Sequence, residues 1–183
     1  MKLLAIVGMP GSGKSVTAEF FRSKGLPVLR FGDQVDIGLA EHGLEKNEKN
    51  ERWYREKLRQ DLGMEAMAVK IEPRIRDAAR KSRVIILDGL YSWEEYIYLS
   101  SRFPGLVLLC IWAPPKTRYS RLANRKVRPL TPETARSRDV AEIEYLNKGG
   151  PIAICDHLIV NDSGSSELTL RLENFYRTFL KHD

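Results

Sequence analysis

Eight residues near the start of the chain, Gly8-Met9-Pro10-Gly11-Ser12-Gly13-Lys14-Ser15, have the types and spacing of a phosphate-binding loop, GxxxxGKS. Glycines let successive backbone N–H groups curl around phosphate oxygens. A helix starting just after them aims its positive N-terminus at the same anion. In this pattern the lysine, Lys14, reaches the β- and γ-phosphates of a nucleotide, and the hydroxyl of Ser15 serves Mg2+. Gly8, Pro10, Gly11, Ser12, Gly13, Lys14, Ser15 and Val16 are therefore the candidate nucleotide-binding residues. The competing reading is an accidental glycine-rich turn. The apolar run Leu3–Val7 before it and the helix-period segment after it argue against that.

Two carboxylates stand where they could complete such a site. Asp88 ends the apolar run Val84-Ile85-Ile86-Leu87, so a strand there would place it beside the loop, able to hold Mg2+ directly or through water. Otherwise Asp88 caps a short helix near Trp93. Asp33 follows Pro27–Phe31 and Gly32. A carboxylate close to a γ-phosphate can take the proton of an attacking hydroxyl, whereas the plainer role is an N-cap for a helix near Gln34.

The arginines form the third group. Arg118, Arg121, Arg125 and Arg128 are spaced 3, 4 and 3, which lines one face if a single helix persists. Aligned like charges oppose folding unless an anion neutralises them. Arg52, Arg55 and Arg59 share a second helix face, which reads equally as a solvated surface interleaved with Glu51 and Glu56.

The elements that must position these groups follow from hydrophobic pattern. Leu3–Val7, Val84–Leu87, Leu106–Trp112 and Leu158–Val160, with Pro27–Phe31 as a weaker fifth, are continuous apolar runs suited to strands buried on both faces. Helix-period segments alternate with them, at about 14–24, 34–43, 47–61, 63–81, 92–102, 115–126, 132–147 and 166–181. That alternation predicts an α/β fold with a mainly parallel sheet. Pro73 is expected to kink or split its segment.

The 183 residues suit one domain. Cys110 and Cys155 show no CxxC spacing, which excludes a disulfide framework and a cysteine zinc site. His42, His157 and His182 have no metal-ligand spacing either. The run Leu3–Val7 is too short for a signal peptide or a membrane span, so the expected location is cytoplasmic. The formal charge of +6 is local. Residues 116–138 hold eight cations and one acid, while the remainder holds 22 cations and 23 acids. Such a patch suits a compact polyanion, and no DNA- or RNA-binding motif accompanies it.

With these residues in view, the chain resembles the P-loop nucleoside-monophosphate kinases, in particular adenylate-kinase-related and dephospho-CoA-kinase-like proteins. The resemblance rests on the phosphate loop, Gly32-Asp33, Leu87-Asp88-Gly89, Arg121-Leu122-Ala123-Asn124-Arg125, the arm Glu133-Thr134-Ala135-Arg136-Ser137-Arg138, and the run Asp156–Asn161. It implies a three-layer α/β/α domain over 1–183 with a five-stranded parallel sheet, an acceptor-binding helical region at 34–81 and a short lid at 121–138. It implies that Arg121 stacks on adenine, that Arg125 and Arg138 meet the transferring phosphates, and that Asn161 lies near the base. It also implies that Asp33 is the acceptor-side base. Two arginines that would clasp an AMP phosphate are absent, their places taken by Asp36 and by Leu90-Tyr91-Ser92. Arg55 and Arg59 are the candidate replacements, with Asp33 and Asp88 beside them.

The resulting expectation is an ATP- and Mg2+-dependent phosphotransferase acting on a nucleotide or another phosphate-bearing small molecule. Its rivals are dephospho-CoA kinase and, from another class, a regulatory NTPase without an acceptor.

Overall fold

The computed structural model describes residues 1–180, so His182 lies outside the described residues. Five strands form one wholly parallel sheet: β1 (Lys2–Val7), β2 (Val28–Arg30), β3 (Val84–Asp88), β4 (Leu106–Trp112) and β5 (His157–Val160). Their order is β2-β3-β1-β4-β5. The central strand β1 pairs Leu3 with Ile85 on one side and with Leu106 on the other. The chain leaves β1 toward one edge and later crosses back, so β1 ends at the topological switch point, where open α/β sheets bind ligands beyond the carboxyl ends of their strands.

Helices cover both faces: α1 (Lys14–Ser23), α2 (Asp33–Glu41), α3 (Glu48–Leu62), α4 (Ala66–Ala79), α5 (Trp93–Arg102), α6 (Pro115–Ala123), α7 (Pro132–Glu144), α8 (Gly149–Ala153) and α9 (Ser165–Phe175), with a π-helical turn at Tyr176–Leu180. Side chains of a strand alternate between faces. Leu3, Ala5 and Val7 pack with residues of α2 to α5, while Leu4 and Ile6 pack with Ala18 and Phe21 of α1 and with Leu168, Leu172 and Phe175 of α9. The layers are thus α/β/α, as expected. No helix of the described residues is long and apolar enough to cross a membrane.

Three local expectations need correction. The segment 63–81 is not split at Pro73: α4 runs on through it from Ala66 to Ala79. Pro73 is exposed, so water can serve the carbonyl it leaves without a partner. Next, α6 stops at Ala123, with Asn124 closing it through bonds to the Ser120 carbonyl. Arg125 and Arg128 therefore lie in the loop before α7 and do not extend the helix face. Arg128, at φ 51°, precedes Pro129, which disfavours helical backbone at that position. Finally, neither carboxylate is a cap. The N-cap of α2 is Gly32, and that of α5 is Ser92, in a reciprocal capping box with Glu95.

Candidate functional site

The phosphate loop links β1 to α1. Gly8 and Gly13 have φ 139° and 113°, conformations that a side chain resists. A Cβ at Gly8 would collide with the Ile111 carbonyl, and one at Gly13 with the Asn161 amide. Lys14 folds back over the loop, its Nζ donating to the carbonyls of Gly8 at 2.8 Å and Met9 at 3.1 Å.

The loop opens on a cavity of about 440 Å³ lined by Pro10, Gly11, Lys14, Ser15, Asp88, Arg125 and Arg138 among others. The structure thus brings together the phosphate loop, the end of β3, the loop after α6 and the face of α7. Six cations (Lys14, Arg22, Arg30, Arg125, Arg138, Lys148) face three acids (Glu19, Asp88, Glu142) there. Burial, then the nearby Arg138 and Arg128, lowers the pKa of Arg125. A surplus of crowded guanidinium groups is a site for an anion.

Lys14 is pushed down to about 7, by burial first and by the neighbouring Lys148 second, with Glu142 and Asp88 opposing. Asp88 is pushed up by its own burial, against the pull of Lys14, Arg30 and Arg22. The oxygen donors lining the cavity include the Ser15 hydroxyl and the Asp88 carboxylate. Mg2+ is a hard cation that takes one or two protein oxygens and fills its shell with phosphate and water, so this donor set fits it. Among the described residues no group of three or more His, Cys, Asp or Glu gathers for a tighter site.

A second cavity, of about 590 Å³, adjoins the first. It is walled by α2, α3 and α4 through Val35, Glu51, Arg55, Arg59 and Met67, and by Arg128 and Leu130 of the loop before α7. Arg30, Gly32, Tyr91, Arg125, Arg138 and Glu142 line both cavities, which form one cleft. Arg55 and Arg59 lie in this wall, whereas Arg52 is exposed and outside it. Arg55 and Arg128 both approach the buried carboxylate of Glu51, at 3.7 and 3.4 Å.

The remaining candidates fall elsewhere. Asp33 lines neither cavity. Its carboxylate faces Arg30 at 3.6 Å and Arg74 at 3.4 Å. Val16 is half exposed on the first turn of α1. Asn161 is buried beneath the loop, where its Nδ2 donates to the Ser12 carbonyl at 2.7 Å. Its Oδ1 accepts from Arg121 Nη2 at 3.3 Å, and that nitrogen also reaches the Ser163 carbonyl at 3.1 Å. Arg118 turns away from the cleft into a buried pair with Asp139. Asp36, one of the departures from the adenylate-kinase pattern, is held by Lys46 at 2.7 Å.

Among the cleft residues that sequence reasoning did not single out are Arg22, Arg30, Tyr91 and Lys148. Arg30 ends a three-residue strand and Lys148 sits in a turn, so neither belongs to a periodic pattern that could have marked it.

Comparison with known proteins agrees with this geometry. Residues 4–147 match the family described as AAA domain. A UPF0200 protein of Thermococcus onnurineus (strain NA1) is 33% identical over 182 residues, covering 97% of this chain and 98% of the other. Among solved structures, dephospho-CoA kinase from Campylobacter jejuni superimposes with a TM-score of 0.65 at 15% identity, covering 100% of this chain and 99% of that one. Shikimate kinase from Bacteroides thetaiotaomicron gives 0.62 at 11% identity, covering 96% and 97%. At such identities the two kinases show a shared fold, that of the P-loop kinases.

Proposed function

Since the chain belongs to the UPF0200 family and carries an AAA domain over residues 4–147, we propose that it is an ATP- and Mg2+-dependent phosphotransferase for a small phosphate-bearing acceptor. The observation that carries this reading is the continuity of the two cavities across Arg30, Arg125 and Arg138. A nucleotide-binding regulator needs only the first cavity. A phosphotransferase needs a second one, opening on the same phosphate.

In this reading the loop N–H groups and Lys14 hold the donor phosphates, and Ser15 and Asp88 hold Mg2+. The ion, when bound, neutralises charge on the donor phosphates. Arg125 and Arg138 face the terminal phosphate from the opposite wall. Their planar forks match phosphate oxygens as that group passes from the donor's bridging oxygen to an acceptor oxygen. The bond to the donor oxygen breaks and the bond to the acceptor forms, so charge moves between the cavities without leaving the arginine cluster. Arg55, Arg59 and Arg128 hold the acceptor's own phosphate, and Val35, Met67 and Leu130 pack on its less polar part.

The test is a transfer screen with γ-labelled ATP against nucleoside monophosphates and dephospho-CoA. Label on one acceptor is the expected result and names the substrate, with dephospho-CoA marking a dephospho-CoA kinase. Label released only as inorganic phosphate overturns the proposal in favour of a regulatory NTPase.

A further inference from the structure

Lys148 is a lysine with 2% of its surface exposed, whereas the other lysines outside the phosphate loop are, among the described residues, half-buried or exposed. Its Nζ donates to Glu142 Oε2 and stands 4.8 Å from the centre of the Tyr91 ring. The turn that carries it is fixed from several sides. Asn147, at φ 49°, donates from Nδ2 to Glu94 at 2.6 Å. The Lys148 N–H donates to the Glu142 carbonyl at 3.3 Å. Gly150 packs so closely on Trp93 that a Cβ would not fit.

The other oxygen of Glu142, Oε1, accepts from Arg138 Nε at 2.9 Å. Arg138 differs from Lys148 in freedom, because nearly half of its side chain is exposed. One carboxylate therefore holds two cations, one locked in the frame and one at the mouth of the cleft. An arriving phosphate can draw only the second away. Without Lys148, that departure would strand a buried carboxylate beside a polyanion, which is strongly unfavourable. With Lys148 the carboxylate stays neutralised. Burial alone would raise the Glu142 carboxyl, and Lys148 with Arg138 reverses this and holds it below the usual range.

We propose that Lys148 is a positioning residue, the fixed counter-ion of Glu142 that releases Arg138 to the terminal phosphate of a bound nucleoside triphosphate. This rests on the nucleotide reading of the cleft given above.

The experiment titrates fluorescent N-methylanthraniloyl ATP and ADP, each with Mg2+, into wild type, Lys148→Met and Lys148→Met/Glu142→Gln, with a thermal melt of each protein. Wild type should prefer the triphosphate by about 10- to 100-fold, the worth of one charge-assisted hydrogen bond. In Lys148→Met the preference should collapse, because Arg138 stays on Glu142; it is read as the ratio of the two affinities, in which a loss common to ATP and ADP cancels. In the double variant only a neutral amide oxygen faces Arg138, which a phosphate outcompetes, and the preference should return. A merely structural lysine would lower the melting temperature without touching this ratio. A folded Lys148→Met protein that keeps the preference overturns the proposal, as does a folded double variant that lacks it. If Lys148→Met does not fold, the double variant, free of both charges, decides by the same ratio. Wild type binding both nucleotides equally overturns this inference alone, while wild type binding neither overturns the phosphotransferase reading and this inference with it.

Discussion

Arg118 grips both carboxylate oxygens of Asp139, Nη1 to Oδ1 at 3.0 Å and Nη2 to Oδ2 at 2.6 Å, and the same guanidinium reaches the Pro10 carbonyl at 3.1 Å. Both residues are buried. The pair ties α6 to α7 and both to the underside of the phosphate loop. Removing one partner leaves the other charge buried and unpaired. Asp139→Ala should therefore lower stability by about 3–5 kcal/mol, read by chemical denaturation. Replacing both partners with apolar residues, Arg118→Met/Asp139→Leu, should recover most of that loss. It should nevertheless weaken nucleotide binding, because losing Arg118 breaks the tie to the Pro10 carbonyl. A single variant within about 1 kcal/mol of wild type would make the pair an ordinary surface-grade contact.

Lys14 connects binding to pH. In the empty cleft its pKa is lowered to about 7, by burial and then by Lys148. A bound phosphate favours the charged form, so binding above that pH must take up a proton. ATP affinity should fall as pH rises from about 7 toward 10, and calorimetry in buffers of differing ionisation enthalpy should register proton uptake near pH 8. The empty protein should behave oppositely. Its Lys14 sheds a proton that the unfolded chain retains, so stability gains from this group as pH rises from about 7 to 10.5. Affinity independent of pH across that range would show that Lys14 is charged before ligand arrives.

Glu95, in the wall of the second cavity, offers a stability test. It is buried, and burial pushes its carboxyl up to about 7 although the N–H groups of Tyr91 and Ser92 bond to it at 2.7 and 3.2 Å. Its folded pKa lies above the unfolded value of 4.5, so its contribution is full below pH 4.5 and is lost as pH rises through about 7. Glu95→Gln keeps a side-chain acceptor for the capping box and removes the ionisation. The variant should melt no lower than wild type at pH 8, and the decline of stability between pH 5 and 7 should flatten. An unchanged decline would assign it to other groups.

Asp33 separates two roles by size of effect. As the acceptor's base, Asp33→Asn would lower turnover by about 10²–10⁴-fold. The geometry instead gives it Arg30 and Arg74 as partners, outside the lining of the cleft. We expect a loss below about tenfold and a stability change under about 1 kcal/mol, as for an exposed ion pair. Steady-state kinetics with the acceptor found in the transfer screen distinguishes the two.

What was legible in the chain was what depends on neighbours in sequence. Continuous apolar runs marked four strands because a parallel sheet covered on both faces has no polar side to interrupt them, while the edge strand β2, ending in exposed Arg30, was marked only weakly. The phosphate loop was legible because its glycines, lysine and serine act within eight residues. The lost parts depend on crossovers. Arg118 meets Asp139 across 21 residues, and Arg121 meets Asn161 across 40, so no local spacing could tell a structural arginine from a cleft arginine. The five-residue α8 is too short to show a helical period, and with it Lys148 went unnoticed.

The place of β1 has a consequence for how the chain is made. Leu3 pairs with Ile85 and with Leu106, and no strand next to it in sequence lies beside it in the sheet. The ribosome therefore delivers the phosphate loop before the walls that shape it, which arrive only after about a hundred further residues, some 5–20 s later at common elongation rates. For that interval the nascent chain carries an apolar strand without its sheet neighbours and a loop without its walls. A ligand of that loop can therefore act on maturation only once β3 and β4 have been made, as a clamp on an assembled sheet and not as a template for assembling it.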